Sequence, residues 1–240
     1  MSAAGSGSSA KAPGPRLHAG PSPTGPRWAR QVGRVLTRTP WSVRVSGAER
    51  VPAEGPVLLA ANHQGFLDGP LLLGTAPRPA HILVKEEMFV GPVGWVLRAG
   101  GQIPVDRSGG RAALAAGLAV LRRGGVVGIF PEGNRGRGDV SGARAGIAWL
   151  ALHGQAPVVP VALLGTRRTG ESVGGLPGLG RRLAVEFGDP VTVSRGGAGN
   201  GRAALAAAAE AIRSALADLV AGASARTGIP LPTDAPTRPT

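Results

Sequence analysis

The chain has 240 residues, a net charge of +13 and no cysteine. Its length suits one domain with a substantial core, and the missing thiols exclude a disulfide framework, a thiolate-held metal and a cysteine nucleophile. The charge points to an anionic partner (nucleic acid, phosphorylated metabolite or membrane surface), but all basic residues except Lys11 and Lys85 are arginines, so coding bias supplies part of it.

Residues 1–26 are rich in Gly, Ser, Pro and Ala and read as a disordered leader, without the apolar segment of a secretory signal. Residues 27–40 read as a basic amphipathic helix. On a helical wheel Trp28, Val32, Val35 and Leu36 share one face, Arg27, Arg30, Arg34 and Arg38 the other, and Pro40 closes the segment. Two readings stand: the apolar stripe packs on the domain, or it lies among the headgroups of an anionic membrane.

Residues 41–221 form the main domain. Ser42-Val43-Arg44-Val45 alternates as a short strand, and Val57-Leu58-Leu59-Ala60-Ala61 is a buried one, entered from the turn residues Glu54-Gly55-Pro56. The loop Asn62–Asp68 follows, then Leu71-Leu72-Leu73, suited to a helix. His81–Lys85 predicts a strand, Met88–Ala99 a short helix and Ile103–Val105 another strand. Leu114, Leu118 and Leu121 line one face of a helix over 111–123, stopped by Gly124. Val126–Phe130 is a buried strand, residues 143–153 a helix, and 158–164 and 183–187 two more strands. An Ala-rich helix spans 202–220, and 222–240 reads as a disordered Pro/Thr tail. The alternation predicts a single α/β domain: a mixed, mostly parallel sheet flanked by helices, with the short amphipathic helix before it. No apolar run approaches the roughly 18–20 residues that span a bilayer. A cytoplasmic protein is therefore expected, with peripheral membrane contact left open.

Three loops each follow a strand: 62–68, Asp106-Arg107 and 131–135. In an open α/β sheet, ligands bind where strand ends gather. If these loops share one edge, His63 and Asp68 stand beside Arg107 and Arg135. A neutral imidazole can take a proton from an alcohol, and a neighbouring carboxylate fixes its tautomer and stabilises the imidazolium. Arginine presents a planar fork to phosphate, and Gly133 and Gly136 permit close backbone approach. The substrate so inferred carries a phosphate and a hydroxyl. Taken singly, each arginine also reads as a solvated charge, and His63 with Asp68 as a structural pair. The histidines at 18, 63, 81 and 153 show no ligand spacing, so no metal is expected.

These residues carry a resemblance. The chain resembles the glycerophospholipid acyltransferases, specifically the 1-acyl-glycerol-3-phosphate (lysophosphatidate) acyltransferases, in four blocks that follow the family's order. Asn62-His63-x4-Asp68 is similar to N-H-x4-D, and Gly101–Arg107 to a second block that ends in Asp-Arg. Phe130-Pro131-Glu132-Gly133-Asn134-Arg135 resembles F-P-E-G-T-R, and Val159-Pro160-Val161 the V-P-V block. The likeness covers about residues 43–193. Gly65 stands where the family commonly has Ser, and Asn134 where it has Thr.

The resemblance implies an O-acyltransferase that moves an acyl chain from acyl-CoA or acyl-carrier protein to the free hydroxyl of 1-acyl-glycerol-3-phosphate. His63 would be the general base and Asp68 would orient it. The phosphate-binding set would be Arg107, Glu132, Gly133 and Arg135. Glu132 could hold an arginine or a glycerol hydroxyl, or simply pair with Arg135. No cofactor is implied beyond the thioester co-substrate. With no cysteine, a direct ternary reaction fits better than a cysteinyl acyl-enzyme. Another lysophospholipid, glycerol phosphate or a glycolipid could be the acceptor instead. A basic nucleic-acid-binding module is a further alternative, disfavoured by an aromatic content of only 3% and by the dispersal of the arginines.

Overall fold

The computed structural model describes residues 21–106, 110–133, 135–140, 145–194 and 201–234. Its helices are α1 (Gly25–Arg38), α2 (Asp68–Thr75), α3 (Gly91–Ala99), α4 (Arg111–Arg122), α5 (Gly146–Gly154) and α6 (Gly201–Thr227). Its strands are β1 (Ser42–Ser46), β2 (Val57–Ala61), β3 (Ala80–Lys85), β4 (Ile103–Val105), β5 (Val126–Ile129), β6 (Val158–Leu164) and β7 (Arg182–Phe187). They form one sheet in the order β1-β7-β6-β2-β5-β3-β4, parallel throughout except where β7 runs against β6. This is the expected mixed, mostly parallel α/β sheet.

The centre of the sheet follows from β2 and β6, apolar and buried at every position, as strands covered on both faces must be. Side chains alternate across β2. Leu58 and Ala60 enter one core with Ile147, Leu150, Ile212 and Leu216 from α5 and α6. Val57, Leu59 and Ala61 enter the other with Trp41 and with Leu71 and Leu72 of α2. Because β2, β5 and β6 are mutually parallel, their C-terminal ends open on one edge, and the loops that follow them share it.

Four boundaries differ from expectation. Helix α1 begins at Gly25, within the segment 1–26 read as a disordered leader, and Gly25 and Pro26 are buried. The helix expected from Met88 begins at Gly91, after a single 3-10 turn at Glu86–Met88, because Pro92 supplies a first-turn residue that cannot lie deeper in a helix. The helix expected from 143 begins at Gly146, and residues 141–144 lie outside the described ones. The largest correction concerns the tail. Gly222 does not end α6, which continues to Thr227 with Ala223 fully buried. The stop is Gly228, at φ +64, the left-handed conformation that glycine supplies just past a helix end. Beyond it Ile229 and Leu231 pack against the core, so 222–234 is part of the domain.

Of the two readings of the α1 apolar stripe, the one that packs it on the domain does not hold, because small residues make the contact instead. Gly25, Ala29, Gly33 and Thr37, four residues apart, are buried, with Gly33 against α2 and Gly25 and Ala29 against Ala99 and Gly100 at the end of α3. A Cβ added to Gly74 of α2 would fall 2.5 Å from the carbonyl carbon of Gly33, so the two backbones are in direct contact. Arg30 reaches across from the polar side, its Nε donating to Ala76 O at 2.6 Å, a carbonyl at the end of α2. Trp28, Val32, Val35 and Leu36, 36–64% exposed, face outward.

Candidate active site

β2 is extended past its end by a side chain. Asn62 Oδ1 accepts from Leu163 N at 2.7 Å and its Nδ2 donates to Leu163 O at 3.1 Å, pairing with β6 as a further strand residue would. Gln64 Nε2 donates to the same carbonyl at 3.0 Å. Between these anchors the backbone of His63 is held on both sides. Its N–H donates to Glu132 Oε1 at 2.9 Å, and its carbonyl accepts from Gly136 N at 2.8 Å. The loops after β2 and β5 are thus tied together at the catalytic candidate itself.

Asp68 opens α2 with its carboxylate turned back into the preceding loop. Its Oδ2 accepts from Gln64 N at 2.6 Å and Gly65 N at 2.8 Å, and lies 2.8 Å from His63 Nδ1. Three N–H groups thus converge on one oxygen at a helix start and replace its lost hydration. It is fully buried. Since Oδ2 is an acceptor, Nδ1 carries the proton, which leaves the Nε2 lone pair to face a substrate. The His63 ring stacks on Phe130, centroids 4.2 Å apart and 21° from parallel, and its side chain keeps 15% exposure. It is reachable but cannot swing freely.

The residues after β5 complete the cluster. Gly133, at φ +69, closes the turn in which its N–H donates to Phe130 O at 3.0 Å. The Arg135 guanidinium sits over Phe66, 5.4 Å from the ring centroid. Burial lowers the Arg135 pKa and the Asp68 charge works the other way. Glu132 does not pair with Arg135; its carboxyl accepts from the His63 N–H instead. Burial pushes that carboxyl up to about 7, with Asp139 and Asp68 adding to the rise and the His63 N–H opposing it. Of the expected site, His63, Asp68, Glu132, Gly133 and Arg135 are therefore together. Arg107 lies outside the described residues, and β4, which leads to it, is separated from β5 by β3.

The raised Glu132 value has a consequence for stability. The folded chain holds a proton on Glu132 between its ordinary value of 4.5 and about 7, so this group's contribution to stability falls as pH rises through that window. Glu132→Gln keeps an oxygen for the His63 N–H but cannot ionise. The variant is expected to gain about 1–3 kcal/mol over the parent at pH 8, with the gap closing below pH 4.5, as measured by urea unfolding. A gap that does not change with pH would contradict the buried position of this carboxyl.

Sequence reasoning missed Asn62 and Gln64 as clamps, because their bonds reach a strand about a hundred residues away. It also missed the contribution of the loop after β6. A Cβ added to Gly65 would lie 3.3 Å from Thr166 O and 3.7 Å from Arg167 Cβ, so that loop forms the floor of the site.

Comparison with known proteins assigns the family. The family model described as Acyltransferase matches residues 42–164, just over half of the chain. The chain is 33% identical over 135 residues to the 1-acyl-sn-glycerol-3-phosphate acyltransferase of Bacillus subtilis, covering 55% of this chain and 67% of that one. It is 32% identical over 123 residues to the human 1-acyl-sn-glycerol-3-phosphate acyltransferase beta, covering 49% and 44%. It thus spans about two thirds of the first relative and under half of the second. In fold it is similar to the crystal structure of the 1-acyl-sn-glycerophosphate (LPA) acyltransferase PlsC of Thermotoga maritima, with a TM-score of 0.62 at 24% identity, covering 81% of this chain and 79% of that one. With the cluster around His63 inside the matched span, the chain belongs to the Acyltransferase family and is an O-acyltransferase.

Proposed function

We propose that the chain acylates the free hydroxyl of 1-acyl-glycerol-3-phosphate from a thioester donor, acyl-CoA or acyl-carrier protein, to give phosphatidate. The observation that carries the mechanism is the His63–Asp68 contact of 2.8 Å through Nδ1. It leaves Nε2 to take the hydroxyl proton while the oxygen attacks the thioester carbonyl. The tetrahedral intermediate collapses with loss of the carbon–sulfur bond, and the imidazolium returns its proton to the departing thiolate. Asp68 stabilises the imidazolium in between. Arg135, together with Arg107, binds the acceptor's phosphate. Protonation of Glu132 near neutral pH removes a negative charge from the path of that phosphate. Thiol release from palmitoyl-CoA that depends on lysophosphatidate tests the reading. Failure with this acceptor alongside turnover of glycerol phosphate or a glycolipid would overturn the acceptor assignment.

Such an acceptor sits in a bilayer, and we place its meeting with the enzyme on the apolar outer surface. No helix among the described residues is long and apolar enough to cross a membrane. Instead Val35 and Leu36 of α1, Val93 and Trp95 of α3, and Leu176 and Leu179 between β6 and β7 are 48–86% exposed. The segments that carry them adjoin, since Trp28 Nε1 donates to Ala99 O and Gly180 N to Pro40 O. An apolar face beside the exposed Arg27 and Arg38 suits the cytoplasmic, anionic face of a membrane. Val35→Ser, Leu36→Ser and Leu179→Ser together touch no core residue. They are expected to weaken co-sedimentation with phosphatidylcholine–phosphatidylglycerol vesicles by about tenfold or more, from the apolar area lost. Unchanged binding would contradict this placement.

A further inference from the structure

The loop after β6 carries a buried cation outside the segment matched to the family. Arg167 has 1% of its side chain exposed and needs a compensating charge there. That charge comes from 67 residues further along the chain. Arg167 Nη1 donates to both carboxylate oxygens of Asp234 at 3.0 Å, and Nη2 lies 3.3 Å from the Asp234 carbonyl. Asp234 is fastened in turn. Gly170 N donates to its Oδ2 at 3.2 Å, and the preceding Thr233 N donates to Thr169 Oγ1 at 3.1 Å. Ser224 Oγ donates to Ile229 O at 2.8 Å and Pro232 is buried, so the segment 228–234 is seated along its length.

The other side of Arg167 faces the catalytic loops. Its Nη2 also approaches Gly136 O at 3.4 Å, and Gly136 N donates to His63 O at 2.8 Å. Its Cβ and the Thr166 carbonyl lie under Gly65, whose N–H is bound by Asp68. The guanidinium therefore stands between the 228–234 strap and the loop after β5, and the backbone that carries it lies under the loop after β2.

We infer that Arg167 is a positioning residue for acyl transfer, anchored by Asp234 so that it fixes the backbone on which His63 and Asp68 are mounted. The inference rests on His63 as the base. An Arg fork reaches the carboxylate and Gly136 together, and the point charge of a lysine cannot. Loss of the anchor leaves the guanidinium to seek water and loosens the floor of the site. Misplacement of a base by an ångström lowers the chemical step far more than it lowers substrate binding.

The test uses the full chain with Asp234→Ala, Asp234→Glu and Arg167→Lys. Asp234→Ala and Arg167→Lys are expected to lower kcat by about 10–100-fold with little change in KM for either substrate, while Asp234→Glu recovers most of the loss. A second readout needs no turnover: the NMR signal of the His63 ring Cε1–H, assigned with His63→Gln. It is expected to shift in Asp234→Ala while the His153 signal stays. An unmoved His63 signal overturns the inference. So does a kcat loss matched by the unfolded fraction at the assay temperature, or a rise in KM alone. If the wild type does not acylate lysophosphatidate but the His63 signal shifts, the acceptor reading fails and the positioning role stands.

Discussion

Asp68→Asn is expected to lower kcat by about 10²–10⁴-fold while leaving the loop backbone in place. The reason lies in the three N–H groups that converge on one oxygen. The new side-chain amide keeps its oxygen at that position, because turning its NH2 there would set donor against donor. His63 therefore retains the same tautomer and orientation. What is lost is the negative charge that stabilises the imidazolium during proton transfer, so the cost falls on the chemical step and KM stays close to that of the parent. Asp68→Ala differs: it abandons two buried backbone N–H groups and the helix start as well, and is expected to lower stability along with rate. Steady-state kinetics on both variants, with thermal melts, separate the two effects. An Asp68→Asn variant with parental kcat would remove Asp68 from the reaction.

The site was legible in the sequence to the extent that local pattern built it. Val57–Ala61 could only be a strand covered on both faces, so the polar run after it had to emerge at an edge, and the spacing of His63 and Asp68 placed both in one loop. Val126–Phe130 delivered Glu132, Gly133 and Arg135 by the same logic. Parallel strands then brought the two loops together. Other features left no such signal. The docking face of α1 is a stripe of small residues, Gly25, Ala29, Gly33 and Thr37, which a reading of hydrophobicity around the helix does not single out when close backbone approach is what drives packing. Glu132 acts through a backbone N–H, which no residue type advertises. Arg167 and Asp234 form a single long-range pair without periodicity. The strap holding Asp234 also has the Pro- and Thr-rich composition of a disordered tail, yet Gly228 and a few apolar contacts seat it.

The basic charge divides in the same way. Arg30 closes α2, Arg167 anchors a loop and Arg181 pairs with Glu171, so several arginines that raise the net charge serve the fold. Arg135, half-buried over Phe66, is an arginine we propose for the acceptor's phosphate, a role that calls for a defined cleft rather than a distributed nucleic-acid surface.

His63→Ala tests the central claim most directly. The variant removes the base and leaves the bonds through the His63 backbone N–H and carbonyl intact, so the loops remain tied. Purified wild type and variant are compared for lysophosphatidate-dependent thiol release from palmitoyl-CoA at saturating substrates. The expected result is release by the wild type that requires the acceptor and falls by about 10³-fold or more in the variant. Equal release from the two proteins would contradict the role of His63 and the account built on it.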